Sequence, residues 1–245
     1  MVTEAKKNKP ILWPSLPYDA WKDTLETVHM WMQIVGKVKL VCNPFLNQWW
    51  EVTFFPTAYG MTTGRIYYKH VIFEIDFNFI THTLSIQTNT GKKESIVLRP
   101  ISVAKFYEEF MQSLKKLDIH ITITPLPSEV TNPIPFQSDT QHHAYETAYV
   151  TSWWQIQLQI SHIFDNFRTR FRGKSSPVQF FWGSFDLGIS RFSGKILHDK
   201  SDWPKGYSFM RYAESEENFA CGFWPGNEKF PFPAFYSYMY PAPNG

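Results

Sequence analysis

Hydrophobic and polar positions near the N-terminus follow the period of a helix over residues 19 to about 40. The apolar positions lie three or four residues apart, as one buried helical face requires, and they are Trp21, Leu25, Val28, Met32 and Val35. Asn43 and Pro44 end the pattern. The same spacing predicts two further helices, over residues 103–117 and about 145–171, because each segment carries one continuous apolar stripe.

Alternation of apolar and polar residues predicts antiparallel strands in both halves of the chain. Residues 71–79 alternate most strictly, with Phe73, Ile75 and Phe77 on one face of a half-buried strand. A hairpin is expected where residues 84–88 and 95–98 flank Asn89-Thr90-Gly91, because these residue types tolerate positive φ. The other predicted strands cover residues 49–55, 65–68, 119–124, 178–186, 188–192, 209–212, 219–223 and 235–240, with a turn at Tyr59-Gly60.

The order of these elements predicts an α+β fold in which antiparallel sheets are flanked by three main helices. Residues 1–12 offer little to bury and are expected to form a disordered tail, whereas residues 13–245 are expected to form a single α+β domain. A proline-rich connector joins halves of about residues 13–125 and 143–245. Each half reads as a helix followed by strands, so a pseudo-repeat that matches residues 49–55 to residues 178–185 is an open alternative.

Composition is that of a globular protein with many aromatic side chains. Of 245 residues, 43% are hydrophobic and 18% aromatic, which supplies large rigid groups for cores and pockets. The formal net charge of +2 gives little attraction for phosphate backbones, so nucleic acid is not expected as a partner. No apolar run is long enough for a membrane span or a signal peptide, so we expect a cytoplasmic protein without a membrane partner. The sequence assigns no cofactor and no oligomeric state.

Common catalytic and metal-binding motifs are missing from the chain. It contains no G-x-S-x-G, H-E-x-x-H, Walker, G-x-G-x-x-G or C-x-x-C sequence. Cys42 and Cys221 are far apart in the sequence and are interpreted as reduced structural thiols. The side chains of His142-His143 diverge in a helix and in a strand, and His198-Asp199 lacks evident partners for a metal triad. We therefore expect no metal site, and any active site must combine residues that are distant in the sequence.

A polar stripe on the first predicted helix supplies one set of candidate site residues. It consists of Lys22, Glu26, His29, Gln33 and Lys37. One interpretation is a solvated face on which Glu26 pairs with Lys22. The other assigns His29 as a catalytic acid or base, with Gln33 and Lys37 as ligand-binding residues, because the rest of that helix is apolar on nearly every side.

The segment Phe180-Phe181-Trp182-Gly183-Ser184-Phe185-Asp186 supplies the second set. Read as one strand, it has Trp182, Ser184 and Asp186 on the same face, since side chains alternate. A desolvated Asp186 beside an indole would have a raised pKa and could act as a catalytic acid or base, with Trp182 and Ser184 binding a ligand. The alternative is a core strand in which Asp186 pairs with an arginine such as Arg191, itself a candidate ligand-binding residue.

The sequence Phe223-Trp224-Pro225-Gly226 predicts the end of a strand that turns into a loop. At such a position Trp224 could offer its indole ring as a platform for a ligand. A structural aromatic corner explains the same pattern, so both interpretations of Trp224 stay open.

Several blocks of the sequence resemble the DUF5996 family. They are Trp13-Pro14-x-Leu16, residues 27–38, residues 175–187, Arg191-Phe192-Ser193-Gly194 and Gly222-Phe223-Trp224-Pro225-Gly226. The family consists mainly of bacterial proteins without an assigned function, so the resemblance implies a single domain of about this length and no mechanism. The chain departs from the family pattern at Gln179 and at Ser215-Glu216-Glu217, where relatives often carry histidine. The resemblance therefore implies no site built on either of those imidazoles.

Two functions are compatible with these residues. The first is an aromatic-lined pocket for a small organic or sugar-like molecule, in which acid and base residues could make the protein an enzyme. The second is a non-catalytic module that recognises a carbohydrate or a protein through exposed rings such as Trp49, Trp50 and Trp224. A buried cavity that brings a carboxylate close to an imidazole favours the first, and a solvent-facing row of tryptophans favours the second.

Overall fold

The computed structural model describes residues 13–197 and 209–243. The expected tail of residues 1–12 and the His198-Asp199 pair lie outside the described residues. Within the described ranges, no helix combines the length and the apolar character that crossing a membrane requires.

Three long helices confirm the predicted helical segments. Helix α1 covers Tyr18–Cys42, α2 covers Val103–Lys116 and α3 covers Thr147–Arg168. The Ser102 side chain caps α2 by accepting a hydrogen bond from the Lys105 amide at 3.2 Å. Helix α1 is buried on almost every side over its second half, as its apolar composition predicts. It packs against α2, where the rings of Trp31 and Phe106 stack with their centroids 4.8 Å apart.

The first sheet is antiparallel and follows the predicted meander. It contains β1 (Phe55–Thr57), β2 (Gly60–Thr62), β3 (Ile66–Tyr68), β4 (Val71–Asn78), β5 (Thr83–Thr88) and β6 (Lys93–Val97). Its order is β1-β2-β4-β5-β6, and β3 also pairs with β4. The strict alternation read in residues 71–79 is confirmed, because Phe73, Ile75 and Phe77 are buried and pair with β5.

The second sheet carries the candidate site. It contains β7 (Gln179–Phe181), β8 (Asp186–Ile196), β9 (Glu216–Trp224) and β10 (Ala234–Tyr240), in the order β10-β9-β8-β7. Every pairing is antiparallel. The two sheets and their helices confirm an α+β fold, and each half of the chain runs from a helix into antiparallel strands.

Four predicted strands are wrong in whole or in part. Residues 178–186 form a strand only over β7 before a turn interrupts them, and each of the other three fails for a local reason. Residues 49–55 begin with the 3-10 helix Asn47–Trp49 and become extended only at β1, since Gln48 and Trp49 both have positive φ. Residues 119–124 bury Ile119 and Ile123 in the core without a neighbouring strand to pair with. Residues 209–212 belong mainly to the short helix α4, Met210–Ala213. Apolar runs predict burial, but a strand also needs a partner in the sheet.

One hydrophobic core includes residues from both sheets and from the three long helices. The sheets meet where Phe54 and Phe180 exchange two backbone hydrogen bonds of 2.9 and 2.8 Å. The indole of Trp182 packs on Gly36 of α1 and donates from Nε1 to the Val52 carbonyl at 2.8 Å. This packing fixes the start of the second sheet against α1.

Candidate functional site

A cavity of about 740 Å³ lies over one face of the second sheet. Its floor is formed by alternate residues of three strands: Asp186, Gly188 and Ser190 of β8, Asn218 and Ala220 of β9, and Tyr236 and Tyr238 of β10. Its sides are the segment from Gln48 to Val52, helix α4, and the pair Ser128 and Glu129. The walls include the rings of Trp49, Trp50, Trp182, Phe192 and Trp224, so the cavity has an aromatic wall.

A tight turn between β7 and β8 shapes one end of this cavity. The predicted continuous strand over residues 178–186 is wrong, because Trp182 to Phe185 form a turn and Phe185 has a φ of 61°. The parity argument for Trp182, Ser184 and Asp186 therefore fails. The turn nevertheless brings all three side chains to the cavity, since each of them lines it.

Asp186 lies on the cavity floor with only 7% of its surface exposed. The Ser184 hydroxyl donates to Oδ1 and the Tyr236 hydroxyl donates to Oδ2. Burial raises the pKa of the Asp186 carboxyl, and these two hydrogen bonds act in the opposite direction. The alternative pairing with Arg191 is absent among the described contacts of Asp186.

Two glycines make room for the tyrosine that reaches Asp186. Gly188, Gly222 and Tyr236 are successive neighbours across β8, β9 and β10. A Cβ atom on Gly222 would lie 2.3 Å from the Tyr236 ring, and one on Gly188 would lie 3.3 Å from its hydroxyl. The ring can therefore lie flat across the sheet only because Gly222 lacks a side chain, and Gly188 leaves room for its hydroxyl beside the carboxylate.

A second carboxyl group, Glu129, reaches the cavity from the proline-rich connector. Its Oε1 would lie 2.2 Å from a Cβ atom on Gly183, so the carboxyl group rests directly on that glycine. Glu129 has a φ of 59°, and although the residue is exposed, its carboxyl group is turned towards the protein. Desolvation, and then the charge of Asp186, raise the pKa of Glu129.

A third carboxyl group, Glu214, lies at the other end of the floor with 7% exposure. Asn218 Nδ2 donates to its Oε2 at 2.6 Å, and the Tyr238 side chain is also hydrogen-bonded to it. Burial raises the pKa of Glu214. The rings of Tyr236 and Tyr238 stack with their centroids 6.2 Å apart. These two phenols of β10 therefore lie side by side, and each is hydrogen-bonded to one buried carboxyl group.

The second half of the polar stripe of α1, from His29 to Lys37, lies behind this cavity and supports it. Gln33 is fully buried and is bonded twice to the Ser128 backbone, with Nε2 donating to the carbonyl at 2.7 Å and Oε1 accepting from the amide at 2.7 Å. Lys37 Nζ donates to the Ser128 hydroxyl at 3.0 Å and lies 5.8 Å from the Trp182 ring centroid. Both side chains are buried, so the solvated-face interpretation does not hold for them, and neither lines the cavity.

His29 supports the turn between β7 and β8. Its Nε2 lies 3.0 Å from the carbonyl oxygens of both Trp182 and Gly183, so this nitrogen carries the proton and donates. Burial lowers the pKa of His29 to about 4, which keeps the ring neutral. His29 does not line the cavity, and its hydrogen-bonded nitrogen faces the backbone of the turn.

The two remaining candidates have different positions. The Arg191 guanidinium packs on the Phe167 ring, with Cζ 3.5 Å from the centroid, and donates to the Phe167 carbonyl. Arg191 is thus used against α3 and does not line the cavity. Trp224 does line it and stacks on Phe230 with centroids 6.3 Å apart.

Sequence reasoning missed Glu129, Glu214, Tyr236 and Tyr238. The alternation of tyrosines in residues 235–240 was a usable signal, because Tyr236 and Tyr238 share a face of the predicted strand. Glu129 and Glu214 stand in irregular segments, where no period indicates their direction. Among the described residues, no group of three or more His, Cys, Asp or Glu side chains is arranged to hold a metal ion.

Comparison with known proteins gives one family match. The model of a family of unknown function, DUF5996, matches residues 13–245. No curated protein and no solved structure matches the chain. The match covers nearly the whole sequence and includes every residue of the site described above.

Proposed function

The chain belongs to the DUF5996 family, whose function is unknown, and from its site we propose that it binds a small organic or sugar-like molecule in the aromatic cavity and acts on it by proton transfer. Asp186 is the proposed catalytic acid or base, and Glu129 is its partner. One observation carries the proposal: a buried carboxyl group, held by two hydroxyl donors, faces an aromatic cavity.

The size and lining of the cavity support a small-molecule ligand. A volume of about 740 Å³ is within the range that holds drug-sized molecules. Trp49, Trp50 and Trp224 line this same cavity and do not form a separate flat patch. Aromatic faces bind the apolar face of a ring, and the amide of Asn218 with the hydroxyls of Ser184 and Ser190 offers hydrogen bonds to a polar edge.

The carboxyl groups support acid and base chemistry. Burial raises the pKa of both Asp186 and Glu129, and the charge of Asp186 further raises that of Glu129. Two neighbouring carboxyl groups with such coupling favour a state in which one is protonated and one is ionised, which is the arrangement of a general acid and a general base. Ser184 and Tyr236 would hold Asp186 in place during transfer.

A non-catalytic binding module is the second candidate, and the position of His29 favours it. The imidazole expected in the site donates instead to the backbone of Trp182 and Gly183, so the described lining of the cavity contains carboxyl groups and no imidazole. The two candidates share the same ligand site and differ only in whether the bound molecule is converted.

A thermal-shift screen with a metabolite panel tests both candidates, because a ligand stabilises the folded state by mass action. The proteins compared are the wild type, the isosteric variants Asp186→Asn and Glu129→Gln, and the control Glu108→Gln, whose side chain is 54% exposed on α2. We expect a compound that raises the Tm of the wild type and of the control, with a smaller shift in Asp186→Asn. Mass spectrometry of the incubated compound should then detect a product that both site variants fail to form.

Three other outcomes are informative. A shift without any product supports the binding module. A shift that is equal in Asp186→Asn and the wild type contradicts the assignment of this cavity. Absence of any shift across the panel contradicts a small-molecule ligand.

A further inference from the structure

We infer that the ligand of this cavity carries a positively charged nitrogen, such as an ammonium group on an apolar or sugar-like body. The inference rests on the proposed function, since it names the class of molecule that the same cavity would take. It comes from the juxtaposition of three carboxyl groups and an aromatic wall, with no Lys, Arg or His among the described residues that line the cavity.

The three carboxyl groups line the same cavity and come from separate elements. Asp186 begins β8, Glu214 follows α4, and Glu129 belongs to the proline-rich connector. The side chains that act on their charge are hydroxyls, one amide and another carboxylate. They are Ser184 and Tyr236 for Asp186, Asn218 and Tyr238 for Glu214, and Asp186 for Glu129. Among the described residues, none of the three carboxyl groups therefore has the cationic partner that a buried carboxylate usually has.

Two lysines that contact residues of the cavity wall have polar partners of their own and do not line the cavity. Lys37 donates to the Ser128 hydroxyl at 3.0 Å, and Lys174 pairs with Glu216 at 2.8 Å. Lys174 Nζ also lies 5.6 Å from the Trp50 ring centroid and 4.6 Å from that of Phe192. Two rings of the cavity wall thus already contact an ammonium group, which is the chemistry expected of the ligand.

Ligands of other charge would gain less from these residues. An anion would be repelled by three acidic side chains and would find no basic side chain among the described residues that line the cavity. A neutral polyol could hydrogen-bond to the protonated carboxyls, but it would gain nothing from their charge. An ammonium group gains from both features, because it is attracted to the faces of Trp rings and to any carboxyl group that ionises beside it.

Binding of a cation should release protons from the cavity. Asp186 faces Glu129, Tyr236 and Tyr238, and Glu214 faces Tyr238 and Tyr240. The pKa of each of these tyrosines is raised, so they remain neutral near pH 7. The carboxyl groups are then the groups that titrate, and the affinity for a cation should increase as the pH rises through their elevated pKa values.

The test uses two sets of three probes, and the members of each set have similar shape and different charge. The first set is D-glucosamine below the pKa of its amine, D-glucose and D-glucuronate. The second set is choline, its neutral isostere 3,3-dimethylbutan-1-ol, and 3,3-dimethylbutanoate. Calorimetric titration of the wild type should show binding of a cation in at least one set, about tenfold or more tighter than its neutral isostere, which is the size of one charge-assisted contact. Heats measured in buffers of different ionisation enthalpy should show release of protons.

Variants of the carboxyl groups test whether cation binding depends on these residues. Asp186→Asn and Glu214→Gln keep the shape of each carboxyl group and should each weaken the cation by about tenfold, whereas Glu108→Gln on α2 should leave the affinity unchanged. Cation binding that is insensitive to both site variants overturns the inference. Binding of the neutral or anionic probes that equals or exceeds that of the cations, with loss in Asp186→Asn, overturns the inference and leaves the proposed function in place. Absence of binding by every probe, together with a metabolite screen without a hit, overturns both.

Discussion

Replacement of Gly36 by alanine sets helix propensity directly against packing. Gly36 is buried in the second half of α1, where alanine is intrinsically favoured over glycine by about 1 kcal/mol. An added Cβ atom would lie 2.3 to 2.4 Å from Cε2, Cδ2 and Nε1 of Trp182. Carbon atoms in contact prefer about 3.5–4.0 Å, so the indole would have to move by more than 1 Å.

That movement has two costs. Overpacking of a filled core destabilises by about 1–3 kcal/mol. Displacement of the Trp182 ring would also lengthen the 2.8 Å hydrogen bond from its Nε1 to the Val52 carbonyl, and an unsatisfied buried polar group costs about 1–3 kcal/mol. After subtraction of the propensity gain, we expect Gly36→Ala to lower the free energy of unfolding by about 3 kcal/mol.

Thermal and urea unfolding measure this change. A loss of about 3 kcal/mol should lower the Tm by roughly 6–12 °C for a chain of this length. Trp182→Leu in the Gly36→Ala background removes the ring that the new methyl group meets, so the double variant should lose less than the sum of the two single losses, by about 2 kcal/mol. A Gly36→Ala protein as stable as the wild type, or more stable, would refute the close contact.

Three further predictions concern the residues behind and within the cavity. Gln33→Ala removes both hydrogen bonds to the Ser128 backbone, so we expect the free energy of unfolding to fall by about 2–3 kcal/mol and hydrogen exchange at the Ser128 amide to become faster. An unchanged exchange rate would contradict the role of Gln33 in holding this segment. Burial lowers the pKa of His29 from 6.5 to about 4, so the free energy of unfolding should fall as the pH decreases between these values, by up to roughly 3 kcal/mol in urea titrations. His29→Asn should lack this decrease, and parallel pH profiles of the two proteins would contradict a lowered pKa of His29. The pH dependence of stability that Asp186 contributes has the opposite sign. Its raised pKa makes the stability of the wild type fall as the pH rises above the usual aspartate pKa of about 3.9. Asp186→Asn should therefore gain stability relative to the wild type on going from acid to neutral pH in guanidinium titrations, and a constant difference would rule out a raised pKa.

The period of apolar residues was sufficient to predict the long helices and the most regular strands. The helical stripes of α1, α2 and α3 and the alternation of β4 identify these elements, because each one buries a single face and the pattern of burial is written in the local sequence. The same reasoning gave the α+β class and the hairpin of β5 and β6. It failed at residues 119–124 and 209–212, where apolar residues are buried or packed without a strand to pair with.

The candidate site was predictable only in part. Asp186, Ser184, Trp182 and Trp224 were identified from the sequence, and all four line the cavity. The reason given for three of them was wrong, since a turn with positive φ at Phe185, and not strand parity, brings them together.

The sequence by itself determined that α1 is buried on nearly every side and that polar residues cross it, but the tertiary structure decided what those residues do. Their partners are Ser128, about ninety residues later, and the turn at Gly183, about 150 residues later. The cavity also depends on contacts between distant segments, because Tyr236 reaches Asp186 across Gly222 of the neighbouring strand, with Gly188 beside it on the next strand. Hydrogen bonds and close approaches between distant segments are set by strand register and helix packing, and neither is encoded in the period of any one segment.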